Sequence, residues 1–168
     1  MRRRSFVVAV AAAVAPAAFV AGCGFELRRP PELAFRTIRL TGFRPRSPIA
    51  AELVRQIGAS TTTRVVEAAN EAEVVLRVDE DARERSVVAT TAAGQVREFE
   101  LRARLKFTVL AASGRELLAS AEIVQRRNLT YTETAALAKE EEEAFLFRAM
   151  QTDIVSQVLR RLASIGPV

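Results

Sequence analysis

The chain has 168 residues, 25 basic against 20 acidic side chains, no histidine and one cysteine. The missing histidines and the lone thiol exclude Ser-His-Asp and Cys-His catalysis and the common zinc sites, and no glycine-rich phosphate loop is present. Three of the basic residues, Arg2, Arg3 and Arg4, belong to a leader; the remaining 22 against 20 acidic leave +2 instead of the formal +5, too little to argue for nucleic acid.

Behind those three arginines, residues 6–20 form a 15-residue Ala/Val/Phe run interrupted by Pro16. A bilayer span needs about 20 residues, so the run reads as a secretory leader. It ends in Val20-Ala21-Gly22-Cys23, the pattern of a bacterial lipoprotein cleavage site. Residues 1–22 are therefore expected to be a signal peptide. Cys23 is expected to carry a diacylglycerol and an N-acyl lipid, which makes it an anchor and not a nucleophile. The competing reading, a stray free thiol, leaves the basic start, the apolar run and the small residues before the cysteine unexplained. One acyl chain binds a membrane reversibly, whereas two or three hold stably. Gly24 stands where an aspartate tends to retain lipoproteins at the inner membrane, so the expected address is the periplasmic face of the outer membrane.

Residues 23–35 read as the lipidated start and a short tether, because Arg28-Arg29-Pro30-Pro31 favours extended backbone and removes amide donors. Residues 36–168 are then one domain. A mature chain of 146 residues, the 168 less a 22-residue leader, is large enough for one core without disulfides.

Residues 36–43 alternate apolar Ile38 and Leu40 with Arg39 and Thr41, as a half-buried strand does. Ser47-Pro48 offers a cap and a first-turn proline. Ile49, Leu53, Val54 and Ile57 share one helical face, and Gly58 sits where a C-cap glycine belongs. Residues 61–66 are β-branched enough for a second strand, predicting a strand-helix-strand unit with parallel pairing.

A β-meander follows. Val74, Leu76 and Val78 alternate with polar neighbours, and after a polar stretch Val87 and Val88 lead to a turn at Ala92-Ala93-Gly94-Gln95. Phe99, Leu101, Ala103, Leu105, Phe107 and Val109 then alternate with Glu98, Glu100, Arg102, Arg104, Lys106 and Thr108. At about 3.3 Å per residue this strand spans roughly 40 Å, about twice the usual length. Ser113-Gly114-Arg115 predicts the next turn, and residues 117–131 a third long strand with Ala119 and Ala121 among its inward positions. Residues 132–165 read as a helix, with Thr132 or Thr134 as caps and Glu140 to Glu143 at the positive end of the dipole. Phe147, Met150, Ile154, Val158, Leu162 and Ile165 form its packing stripe.

Two acidic runs invite a catalytic or metal reading. Adjacent strand carboxylates at Asp79-Glu80-Asp81 point to opposite faces, and the spacing of a calcium loop is missing, so a solvated edge or turn is the better account. Glu140 to Glu143 wrap around a helix turn and read as solvating it. No metal and no enzymatic site is expected.

The start Cys23-Gly24-Phe25-Glu26-Leu27-Arg28 resembles the Cys-Gly-Phe-x-Leu-Arg opening of the lipopolysaccharide-assembly lipoprotein family LptE. Gly94-Gln95, Arg126, Leu137-Ala138-Lys139 with Glu142, and Leu159-Arg160-Arg161-Leu162 extend the resemblance over nearly the whole mature chain. It implies an α+β fold, a two-layer α/β sandwich. A mixed four- to five-stranded sheet with long antiparallel strands would pack against two helices. It also implies a plug in the lumen of the LptD β-barrel that assists the barrel's assembly and contacts lipopolysaccharide. The family's basic contact before Gly-Gln is not matched, because Ala92 and Ala93 stand there.

The alternation adds a contact surface: Arg102, Arg104 and Lys106 project together, with Arg83 and Arg85 on the preceding strand where pairing would bring them near. Such cations suit lipid A phosphates; the competing reading is a solvated face balanced by Glu98 and Glu100. Lys139 opposes the helix dipole at the start of the last helix, which points to an anion partner unless the following glutamates neutralise it. The alternative function is a stand-alone periplasmic lipid-binding lipoprotein, which needs an apolar cavity.

Overall fold

The computed structural model describes residues 32–167; the leader, Cys23 and the Arg28-Arg29-Pro30-Pro31 segment lie outside them. Strand β1 (Thr37–Thr41) leads into helix α1 (Pro48–Gly58) and the two-residue strand β2 (Arg64–Val65). Three long strands follow: β3 (Val74–Thr90), β4 (Val96–Ala111) and β5 (Glu116–Thr130). A 3-10 turn, Glu133–Ala135, then precedes helix α2 (Ala136–Ala163). The sheet order is β2-β1-β3-β4-β5, with β1 parallel to both its neighbours and β3, β4 and β5 antiparallel. The fold is thus α+β, a five-stranded open mixed sheet under two helices.

The Ser47 hydroxyl caps α1 by accepting from the Ala50 amide at 3.2 Å. Ile49, Leu53 and Ile57 are buried, but Val54 is 46 % exposed. Gly58 ends the helix without the left-handed conformation expected of it, Ala59 serving as a right-handed C-cap. At α2 neither Thr132 nor Thr134 caps. The 3-10 turn delays the helix, its N-cap is Ala135 with no side-chain bond, and the first turn holds no acid. Glu140 to Glu143 therefore lie beyond the turn in which the dipole acts.

The predicted stripe of α2 is buried from Phe147 to Ile165 and, with α1, covers the inward side chains Leu101, Ala103, Leu105, Phe107 and Val109 of β4. Each such aliphatic or aromatic side chain stabilises the fold by about 1.5–3 kcal/mol through burial.

Two irregularities shift the faces of the long strands. Val78 pairs with Phe107 but Glu80 with Lys106, so Asp79 is an extra residue in β3. Inward positions change parity across it, from Val74, Leu76 and Val78 to Asp81, Arg83 and Arg85. In β5, Phe107 pairs with Ala121 but Val109 with Leu118, so Leu118 takes the inward parity and Ala119, expected inside, is exposed.

Candidate functional site

The bulge at Asp79 divides the basic cluster. Arg102, Arg104 and Lys106 lie on the open face of β4, in register with Glu84, Ala82 and Glu80 of β3 and with Arg126, Val124 and Glu122 of β5. Arg83 and Arg85 pair instead with Ala103 and Leu101, which places them on the helix side. Had β3 kept one parity, all five cations would share a surface; the extra residue puts the sheet between them.

On the open face the cations are answered by carboxylates. An Arg102 Nη donates to Glu100 at 2.9 Å and its partner Nη lies 4.0 Å from Glu84. Arg104 lies 3.2 Å from Glu80 and 3.5 Å from Glu122. Lys106 is exposed between Glu80 and Glu122 in the cross-strand register. Glu98, expected to balance this face, accepts from the Asn128 amide at 2.8 Å instead. The partners Glu80, Glu84 and Glu122 come from neighbouring strands, so only the register identifies them. Exposed pairs of this kind contribute at most about 1 kcal/mol each.

The acidic run on β3 disperses in three directions. Asp79 lies 3.5 Å from Arg77, Glu80 faces Arg104, and Asp81 turns inward to Arg44. The sequence predicts a solvated edge or turn there, yet the Asp81 side chain is buried, because the bulge carries it to the helix side. Among the described residues no three His, Cys, Asp or Glu side chains are placed to hold a metal ion.

On the helix side the structure brings Arg85 and Lys139 to one cleft of about 120 Å³, walled by Phe99, Leu129 and Tyr131 and edged by Glu140 and Glu143. Arg85 donates to Glu143 at 2.8 Å and its guanidinium lies 4.7 Å from the centre of the Phe99 ring. Phe99 and Tyr131 meet edge to face, 5.3 Å apart at 77°. Arg83 stacks 3.9 Å over Phe147. Burial lowers the proton affinity of that guanidinium, as does the nearby Arg44 charge, while Glu143 and Asp81 act in the opposite sense. Stacked cations of this kind gain about 0.5–2 kcal/mol each.

Lys139, 23 % exposed, donates to Glu142 one turn on at 2.7 Å. The in-helix glutamate thus supplies the counter-charge that the dipole withholds. An incoming anion competes with a carboxylate at each cation, but it meets two cations beside two aromatic walls. Sequence reasoning missed Phe99, Tyr131 and Glu143 as members of this cleft; the available signal was the single tyrosine of the chain, placed between the last strand and the last helix. No described helix is long and apolar enough to cross a membrane.

Residues 35–162 match the lipopolysaccharide-assembly family LptE. No curated protein matches the chain significantly. Among solved structures, the chain is similar to lipoprotein B of Nitrosomonas europaea, with a TM-score of 0.71 and 34 % identity over 84 % of this chain and 91 % of that one. It is also similar to rare lipoprotein B of Shewanella oneidensis, with a TM-score of 0.62 and 27 % identity over 77 % and 95 %. A minor lipoprotein of Acinetobacter baumannii, with a TM-score of 0.62 and 17 % identity over 79 % and 94 %, shares the fold.

Proposed function

This chain belongs to the lipopolysaccharide-assembly family LptE, and from that membership we propose that it is an outer-membrane lipoprotein, lipidated on Cys23, that serves as plug and assembly partner of the LptD β-barrel in lipopolysaccharide transport. The observation that carries this reading is the family match over residues 35–162, nearly all of the folded domain. The similarity to two lipoproteins B over more than nine-tenths of their chains supports it. The mature protein is an anchored, non-enzymatic component, with residues 1–22 removed on export and residues 23–35 leading from the lipid to the domain. Its lipopolysaccharide contacts are Arg85 and Lys139 in the aromatic cleft with Arg83 beside them; Arg102, Arg104 and Lys106 form a second, carboxylate-balanced face.

The filled core argues against a solitary lipid carrier. Lipid sites are apolar cavities of several hundred Å³. An opening of that size, about 620 Å³, is walled largely by hydroxyls and arginines. The test is purification of the tagged mature protein in mild detergent, with identification of what accompanies it. LptD in stoichiometric amount is the expected result, together with a fall in folded LptD and a rise in permeability to large antibiotics on depletion, since binding the folded form stabilises it. Recovery without the barrel, with unchanged barrel level and permeability, would overturn the assignment.

A further inference from the structure

The cleft of about 620 Å³ lies away from the cations discussed above, between the last turns of α1, at Val54 and Gly58, and residues 60–65, with Arg36 at its rim. It runs along β2, which ends the sheet on that side. The Arg64 amide donates to Arg36 O and the Val66 amide to Ile38 O, both at 2.9 Å. Alternation along a strand then directs the amide and carbonyl of Val65 away from β1, to the open edge of the sheet, and Val65 lines the cleft. Val54, too exposed for a core residue of α1, supplies an apolar wall. Arg36 and Arg64 supply positive charge, and no carboxylate lines the opening.

We propose that this cleft receives an extended acidic segment of a partner chain, which adds to the sheet as a sixth strand beside β2. Main-chain bonds to a free edge give such a segment its affinity and alternate side chains give it specificity. Here one face meets Val54 and the other meets Arg36 and Arg64. A compact phosphate fits less well. The Ser60 and Thr62 hydroxyls bond each other at 3.0 Å and Thr63 Oγ1 donates to Phe35 O at 2.8 Å, so three of the hydroxyls are engaged. The C-terminal end of α1 also opposes a concentrated negative charge, whereas a strand spreads its carboxylates and uses backbone groups the phosphate would leave unpaired.

The experiment is an NMR titration of the ¹⁵N-labelled mature lipoprotein in detergent with a capped hexapeptide of alternating glutamate and valine. Its lysine/valine counterpart, an alternately N-methylated version, inorganic phosphate and phosphatidylglycerol vesicles serve as comparisons. The acidic peptide is expected to shift the amides of Thr63, Arg64 and Val65 and to bind about ten-fold more tightly than the lysine peptide, the equivalent of about 1.4 kcal/mol. N-methylation is expected to abolish binding, since it removes ladder donors while leaving charge and the protein unchanged. Replacing the exposed Arg36 and Arg64 by serine should erase the preference for acid. Equal binding of the N-methylated peptide would make this an anion site without strand addition. Perturbation of the same amides by phosphate or vesicles, but not by the peptide, would make it a headgroup site. Either outcome, or no shift at residues 63–65 with any probe, overturns the proposal.

Discussion

The Asp81 carboxylate, its side chain only 1 % exposed, meets the Arg44 guanidinium of the loop between β1 and α1 at 3.6 Å. Without that cation the carboxylate at the bulge of β3 would keep only the more distant charge of Arg83. Arg44→Leu is therefore expected to destabilise the mature protein by about 2–3 kcal/mol. This is less than the roughly 3–5 kcal/mol of a fully buried pair, because Arg44 is 37 % exposed and screened. Changing both residues to leucine should cost less than the single change, since no charge then stays buried. Urea midpoints with unchanged slopes check the order of the three variants; a double variant weaker than Arg44→Leu would show that the pair is held for another reason.

Gly42 tests the same loop by backbone geometry. Its φ is +81°, and a Cβ there would lie 2.0 Å from the Val78 carbonyl oxygen, whereas Gly94 at +79° has open space around it. Gly42→Ala should cost more than about 2 kcal/mol, because the clash adds to the strain of a left-handed alanine, and Gly94→Ala only about 1 kcal/mol. Thermal unfolding of the two variants measures the difference; equal shifts would mean that the loop moves freely away from β3.

The division of cations by the sheet separates two lipopolysaccharide variants. Arg85→Ser with Lys139→Ser should weaken binding about ten-fold, a loss that shrinks as salt screens the parent's own binding. Arg102→Ser, Arg104→Ser and Lys106→Ser together should change it less than about two-fold, because the open face, paired with glutamates as the cleft is, lacks the aromatic walls that Phe99 and Tyr131 give Arg85 and Lys139. Stability should move little in the second set, as exposed side chains usually shift it by about 0.5 kcal/mol or less. Binding assays at low and high salt decide between the faces, and a larger loss in the open-face set would reverse the assignment.

The anchor gives the sharpest single substitution. Cys23→Ala should abolish palmitate labelling and, in cells depleted of LptD so that no barrel retains it, release the protein from the membrane fraction, since no described helix is apolar enough to insert in its place. A variant that still labels and sediments with outer membrane defeats the lipoprotein reading.

The alternation of β4 and the stripe of α2 were legible in the sequence because each depends on a period that one element states by itself: 101, 103, 105, 107 and 109 face the core, as do 147, 150, 154, 158 and 162. The strand-helix-strand start was equally readable, except that β2 shrinks to Arg64–Val65. What the pattern hid were places where one residue changes parity. Asp79 carries no local mark of a bulge, yet it sends Arg83 and Arg85 to the helices and buries Asp81; the step opposite Thr108 likewise exposes Ala119. Partners such as Glu122 for Arg104, or Glu143 for Arg85, require register and helix position, which no single segment contains.

The 17 residues of β3 reach about 55 Å at 3.3 Å each, while the 28 residues of α2 reach about 42 Å. The hydrocarbon layer of a bilayer is about 30 Å thick. A barrel that admits this domain lengthwise cannot enclose it within that layer. The hairpin at Gly94 and the hairpin at Gly114, at opposite ends of β4, would then emerge on different sides and meet different neighbours, so that a single strand would reach both mouths of such a barrel at once.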